Sequence, residues 1–169
     1  MSCLGVHFAL SNEDVAILKG LDSEDERLQH LQEVIEEEYM SADDPEAMYA
    51  ENDKSWDAMH RVLADGRLTW DGGTYPLNHT VLAGELLYTG SDYIMSLKSA
   101  EQVKDISAAL AGIDLDAFSE RYRKIDSEDY GFPLTDEDLE YTWEWFQSVR
   151  DLYARASLAD RAVLFTADQ

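Results

Sequence analysis

The sequence predicts a single α+β, or mixed α/β, domain over residues 1–169, in which a small mixed sheet is covered by about six helices. Short apolar runs near both ends and in the middle of the chain have the length and composition of strands. The segments between them repeat apolar residues at helical spacing. A chain of 169 residues, 45% of them hydrophobic, supplies one core and leaves little for a second.

The first predicted elements are a strand and two helices. Residues 3–10 are mostly apolar and lead into a helix at 13–19, which Gly20 ends. Asp22 is expected to cap a longer helix, and residues 41–45 to end it. One face of that helix carries its apolar residues: Leu28, Leu31, Ile35 and Tyr39.

The central part of the chain mixes clear and ambiguous signals. A helix at 53–63 is predicted from an apolar stripe of Trp56, Met59 and Leu63, and residues 65–78 form a loop. The pattern at 80–83 fits a short helix or a strand equally well. Residues 93–97 are predicted to form a strand. This strand is expected to share one sheet with the N-terminal and C-terminal strands. Ser99 and Gln102 then form a capping box for a helix at 100–110.

The C-terminal third predicts two helices and the last strand. Asp114 or Asp116 begins a helix that runs through Phe118 and Tyr122 to Ile125. Thr135 is placed to cap the longest helix. The apolar set of that helix is wide enough to pack on two neighbours: Leu139, Trp143, Phe146, Val149, Leu152, Tyr153 and Ala156. Residues 162–166 close the chain as a strand.

A net charge of −23 limits the classes of molecule that the protein can bind. Such a surface repels nucleic acid and anionic membranes and attracts basic proteins. Eleven acids and a single arginine lie between Asp22 and Glu46, which makes this segment an acidic pole. Two explanations remain open: a surface that maintains solubility or salt tolerance, or a docking face for a basic partner, as in an inhibitor or immunity protein. The predicted docking face consists of Glu24, Glu33, Glu36 and Glu37.

Asp53, Asp57 and His60 are the best candidates for metal or catalytic chemistry, because their helical spacing places two carboxylates and an imidazole on one face. His79 and Glu85 would complete such a site. Two structural roles explain the acids better: Asp53 favours the helix dipole, and Asp57 pairs with Arg61. We therefore expect no metal site and no cofactor.

A polar-aromatic cleft is the second candidate site, with room for a cationic or sugar-like ligand. It brings together residues on both sides of the glycine-bearing loop: Trp56, Asp57, His60, His79 and Tyr88, with Trp70 and Tyr75 nearby. Large aromatic side chains also fill cores, so a structural role stays open. No nucleophile elbow or phosphate-binding loop occurs. A binding module is favoured over a small enzyme that uses this cleft.

Several segments together resemble one bacterial family. These are the opening strand and helix, residues 53–60 and 81–87, the strand-helix junction at 93–103, and the helix at 139–156 that precedes the last strand. They are similar to the YfbM-like bacterial domain of unknown function. The resemblance implies a cytoplasmic bacterial α/β domain with no assigned activity and no catalytic residues.

The compartment predicted from composition is the same. Cys3 is the one cysteine, so no internal disulfide forms, which fits a reducing cytoplasm. The N-terminal segment is apolar but lacks the basic flank of a secretory signal.

Overall fold

An antiparallel sheet lies at the centre of the computed structural model, which describes residues 3–41 and 47–169. The described strands are β1 (Gly5–Leu10), β2 (Tyr49–Asp53), β3 (Glu85–Tyr88), β4 (Tyr93–Lys98) and β5 (Ala162–Asp168). Their order is β2-β1-β5-β4-β3, and every neighbouring pair is antiparallel. The predicted α+β class is confirmed. The sheet is antiparallel instead of mixed, because β5 enters between β1 and β4 in the direction opposite to both.

Helices cover the sheet. The described helices are α1 (Asn12–Gly20), α2 (Glu24–His30), α3 (Glu36–Met40), α4 (Trp56–Leu63), α5 (Ala100–Ala111), α6 (Leu115–Tyr122), α7 (Ser127–Tyr130) and α8 (Asp136–Leu158). A π-helical stretch, Leu31–Ile35, joins α2 directly to α3, so the long helix predicted after Asp22 is confirmed. Residues 42–45 of the predicted helix break lie outside the described residues.

Both faces of the sheet are apolar, and each is buried under its own set of helices. Successive strand residues point to opposite faces, so Phe8 of β1 packs with Leu18 of α1 and with Leu31, while Ala9 contributes to the core beneath α4, α5, α6 and α8. Antiparallel sheets commonly leave one face to solvent. Here the long α8 packs against both α5 and β2, as its broad apolar set predicts.

Local capping signals fix where the helices begin. The Ser99–Gln102 capping box forms as predicted, and Thr135 accepts from the backbone N–H of Asp138 at the start of α8. Asp114 caps α6, which settles the choice left open by the sequence. The cap of α2 is Ser23, not Asp22, because the Ser23 side chain forms a reciprocal capping box with Glu26.

Two short edge strands differ from the prediction. The segment expected to begin a helix at residue 53 is instead β2, and Asp53 ends this strand with a left-handed φ of 46°. The helix begins only at Trp56. At the other edge, β3 occupies residues that the sequence left unassigned.

The ambiguous segment at 80–83 is neither helix nor strand, and buried side chains hold three of its carbonyl groups. The Thr80 carbonyl accepts from His7 Nε2 at 2.8 Å and from Tyr153 Oη at 2.7 Å. Lys98 donates to the Val81 carbonyl, and the Ser96 hydroxyl, at 2.6 Å, to that of Leu82. Irregular backbone can be buried only when its polar groups are paired. These buried polar residues therefore have a structural role.

Candidate functional site

The residues predicted to form a polar-aromatic cleft lie near one another but do not converge on one space. His60 is fully buried, and its Nε2–H donates to the Thr69 carbonyl at 2.8 Å. His79 is half-buried, with its Nδ1 2.7 Å from Asn78 Oδ1. Trp56 is buried and donates from Nε1 to the Cys3 carbonyl at 2.8 Å. The two histidines are thus held by separate local hydrogen bonds.

Trp56, Asp57 and Tyr88 do reach cavities. Trp56 and Tyr88 line a small cavity of about 280 Å³ beside Trp70, and Trp56 and Asp57 line a second one of about 520 Å³. Neither His60 nor His79 lines either cavity. The predicted cleft is therefore divided into two cavities that share Trp56, and the two imidazoles line neither.

The acids that the sequence grouped with His60 are also separated. Asp53 lies in β2 and accepts a hydrogen bond from the Tyr141 hydroxyl at 2.9 Å. Asp57 lies in α4, where the predicted pair with Arg61 is confirmed at 2.6 Å, and burial raises the pKa of the Asp57 carboxyl. Glu85 pairs with Lys19 at 3.0 Å. Among the described residues, no three Asp, Glu, His or Cys side chains are grouped so as to hold a metal ion.

The four glutamates of the predicted docking face have different environments. Glu24 is half-buried and accepts hydrogen bonds from the backbone N–H and hydroxyl of Thr89, which ties α2 to the β3–β4 turn. Glu33 and Glu37 are exposed, and Glu33 accepts from Gln29. Glu36 is half-buried and accepts from the Tyr93 hydroxyl at 2.9 Å. Asp43, Asp44 and Glu46 of the acidic pole lie outside the described residues.

An acidic cleft of about 720 Å³ opens where β1 and β4 begin and β2 and β5 end. We use this name for the space lined by five carboxylates: Glu36, Glu51, Asp53, Asp92 and Asp168. Tyr93, Trp145 and Met40 supply apolar surface between them, and none of its described lining residues is a lysine, arginine or histidine. The strand ends therefore bring together charges that are far apart in the sequence.

Hydrogen bonds to three carboxylates of the acidic cleft come from neutral donors and do not neutralise them. Glu36, Asp53 and Asp92 each accept from a tyrosine hydroxyl, which is a neutral donor. Burial raises the pKa of the Glu36 carboxyl, and the nearby charge of Asp168 raises it further. The pKa of the Tyr93 hydroxyl is also raised, by burial and then by the charge of Glu36. Both directions are those expected for acidic groups that are partly buried beside other negative charges.

The second cavity, of about 520 Å³, is walled by aromatic side chains, and we call it the aromatic pocket. Its rings and carboxylates are Trp56, Tyr130, Phe132 and Tyr141 with Asp57 and Asp138. It adjoins the acidic cleft, because Gln169 lines both and Tyr141 of the pocket donates to Asp53 of the cleft. The exposed Lys54 is the one cation among its described lining residues.

Sequence reasoning missed most residues of these two sites. Asp92, Asp168 and Glu51 stand in turns or strands without a local motif, and only the order of the strands brings them together. Phe132 had one usable signal: an aromatic residue between Gly131 and Pro133 is held in an exposed turn. The described residues include no helix with the length and apolar character needed to span a bilayer.

Comparisons with known proteins give a family and a fold but no activity. The family model "Domain of unknown function (DUF1877)" matches residues 1–166. A solved structure, that of the protein of unknown function YfbM from Escherichia coli, is similar with a TM-score of 0.67 and 18% sequence identity. The similarity covers 97% of this chain and 99% of that one. Comparison with curated proteins gives no match.

Proposed function

This chain belongs to the DUF1877 family of domains of unknown function, and from its surface we propose that it is a non-catalytic module that binds a basic protein segment in the acidic cleft. The observation that carries the proposal is the set of five carboxylates around one space of about 720 Å³, with no lysine, arginine or histidine among its described lining residues. Charge complementarity of this kind steers a partner into place and raises its association rate.

The spread of the carboxylates favours a peptide over a metal ion as the occupant. Because no three acidic or histidine side chains among the described residues are close enough to share an ion, the charge is distributed along the cleft. An extended segment with several lysines or arginines matches that distribution. Tyr93, Trp145 and Met40 supply apolar surface for the stems of such side chains.

The proposal moves the centre of the predicted docking face from the helix toward the sheet. Of the four predicted glutamates, only Glu36 lines the acidic cleft, while Glu24 is engaged by Thr89. Glu33 and Glu37 add to the field outside it. The domain would act as an inhibitor or immunity protein does, by covering the basic surface of its partner. The single cysteine fits the reducing cytoplasm as the compartment of this encounter.

The alternative, a small enzyme or ligand-binding domain that uses Trp56, His60, His79 and Tyr88, has less support. A general acid or base must reach its substrate. His60 is fully buried, and neither it nor His79 lines the cavities that Trp56 and Tyr88 reach.

A matched pair of double variants tests the proposed function with an alternating lysine–glycine octapeptide as the probe. Glu51→Gln with Asp92→Asn removes two exposed charges from the acidic cleft, whereas Glu33→Gln with Glu37→Gln removes two exposed charges elsewhere. We expect the cleft variant to bind the peptide about three- to ten-fold more weakly than the control variant, since each exposed ion pair contributes up to about 1 kcal/mol. Surface plasmon resonance at low salt measures both affinities and rates.

The two variants have the same net charge. If the peptide were attracted only by the overall charge of the protein, both variants would bind it with equal affinity. Equal affinities would show that the cleft is not the docking site. A loss of affinity confined to the variant carrying Glu33→Gln and Glu37→Gln would place the docking face on the helix, as the sequence predicts.

A further inference from the structure

We propose that the aromatic pocket receives an arginine side chain of the basic partner; this rests on the proposed function and adds a preference for arginine over lysine. The pocket combines flat rings with carboxylates, which is the chemistry that binds a guanidinium group. The acids of the adjoining acidic cleft attract any cation, whereas the rings of the pocket distinguish one cation from another.

Phe132 forms the outer wall of the pocket, and the backbone holds it there. Its side chain is 65% exposed, an unfavourable position for a large apolar ring. Gly131, with a left-handed φ of 76°, ends α7 immediately before it, and Pro133 restricts its backbone to extended conformations. The ring lies edge-on to Tyr130 with centroids 5.4 Å apart. The restricted backbone and the contact with Tyr130 therefore present this aromatic surface to solvent.

The carboxylates of the pocket retain acceptor capacity. Asp57 uses Oδ1 to bind Arg61, and Asp138 uses Oδ2 to accept from the hydroxyls of Tyr122 and Tyr130. The second oxygen of each has no hydrogen-bond partner among the described residues. A guanidinium group entering between the rings would meet these oxygens.

The chain already binds one of its own arginines with the same combination of groups. The Arg61 guanidinium lies 5.2 Å from the centre of the Tyr130 ring and pairs with Asp57 at 2.6 Å and Asp129 at 2.5 Å. Arg61 is 3% exposed and satisfied by those two acids, so it does not occupy the solvent side of the pocket. A second guanidinium on that side would find Phe132 and Tyr141 as its rings.

Arginine fits this geometry better than lysine. A guanidinium is planar, weakly hydrated and able to stack on a ring while it binds a carboxylate, whereas an ammonium group is compact and strongly hydrated. The Tyr141 hydroxyl, 2.9 Å from Asp53, joins the wall of the pocket to the acidic cleft. A segment lying in the cleft can therefore place one side chain in the pocket.

Two peptides of equal charge test the inference, an alternating arginine–glycine octapeptide and its lysine–glycine counterpart. Calorimetry on the full chain should show the arginine peptide binding about three- to ten-fold more tightly, the range that a partly exposed cation–π contact supports. Phe132→Leu keeps an apolar side chain but removes the ring, and should abolish the preference with no change for the lysine peptide. Leu158→Ala removes a 91% exposed apolar side chain at the end of α8 and should leave the preference intact.

The outcomes separate this inference from the proposed function. Equal binding of the two peptides by the unmodified protein, or a preference that survives Phe132→Leu, would overturn the role of the pocket. If both peptides still depended on Glu51 and Asp92, the acidic cleft would remain the docking site. Failure of both peptides to bind would overturn both proposals.

Discussion

At the scale of single residues, His7 and His60 are buried as neutral imidazoles. Burial lowers the pKa of His7 to about 3, and the charge of Lys98 lowers it further against the opposing hydrogen bond to Thr80. Burial also lowers the pKa of His60, to about 4. Both values lie below the 6.5 of an exposed imidazole. The folded state therefore resists protonation of these side chains, while the unfolded chain accepts it.

These two pKa shifts contribute to the pH dependence of stability. Because each pKa is lower in the folded state, the contribution of the two imidazoles is complete above about pH 6.5 and falls as the pH decreases toward the folded-state values, by up to about 1.4 kcal/mol per pH unit for each imidazole. His60→Gln retains an amide N–H for the Thr69 carbonyl and removes one of the two titrations. We expect the decrease between pH 7 and 5.5 to be smaller in this variant by about 1 kcal/mol, the share of one imidazole.

Urea denaturation at the two pH values measures this difference. The other titrating groups are the same in both proteins, so the difference between the two decreases isolates the contribution of His60. An identical decrease in the unmodified protein and the variant would contradict the assignment of His60.

At the scale of elements, α8 supplies much of the core on one face of the sheet. Phe146 is fully buried and stacks on Phe118 with centroids 4.9 Å apart. Trp143, predicted as a core residue of the same stripe, is only partly buried, and the Arg150 guanidinium lies 5.5 Å from the centre of its ring. Within one turn of the helix, therefore, one aromatic side chain lies in the core and the other lies at the surface beneath an arginine.

Phe146→Ala should lower the free energy of unfolding by about 3 to 5 kcal/mol, because it leaves a cavity between α6 and α8. Leu158→Ala, a truncation on the same helix at a 91% exposed position, should change it by less than about 0.5 kcal/mol. Chemical denaturation of both variants provides the comparison. A small effect of Phe146→Ala would mean that the helix rearranges to fill the space.

The elements also show which parts of the fold local sequence determines. The caps at Ser99, Asp114 and Thr135 were predictable because a capping interaction involves only neighbouring residues. The edge strands β2 and β3 were not, since their stability comes from hydrogen bonds to strands distant in the chain. Asn52 reads as a polar loop residue, yet it is buried because its side chain bonds His7 Nδ1 at 2.7 Å.

The candidate site was less predictable than the fold for the same reason. The sequence located the acidic pole and identified Glu36, but the acidic cleft combines Glu36 with the ends of β2 and β5 and the start of β4. Periodicity places residues on a helix face and carries no information on the order of strands. The grouping of the cleft acids can therefore be recognised only in the complete fold.

At the scale of the whole molecule, the net charge of −23 acts on stability and on binding in opposite ways. Repulsion among excess carboxylates disfavours the compact state, and the same field attracts a basic partner. The Debye length falls from about 30 Å at 0.01 M to about 3 Å at 1 M ionic strength, so added salt weakens both effects. A surface that serves solubility alone would show only the first of them.

Raising sodium chloride from 10 mM to roughly 0.5 M should therefore increase the thermal midpoint of unfolding while slowing association with the lysine–glycine octapeptide. The slowing should be smaller in the variant carrying Glu51→Gln and Asp92→Asn than in the control carrying Glu33→Gln and Glu37→Gln, because fewer cleft charges remain to be screened. Calorimetric scans and association rates at matched salt concentrations test the two effects separately. A midpoint that fell with salt would show that attractive pairs, such as Arg61 with Asp57 and Asp129, outweigh the repulsion. An association rate independent of salt would exclude electrostatic steering by the acidic cleft.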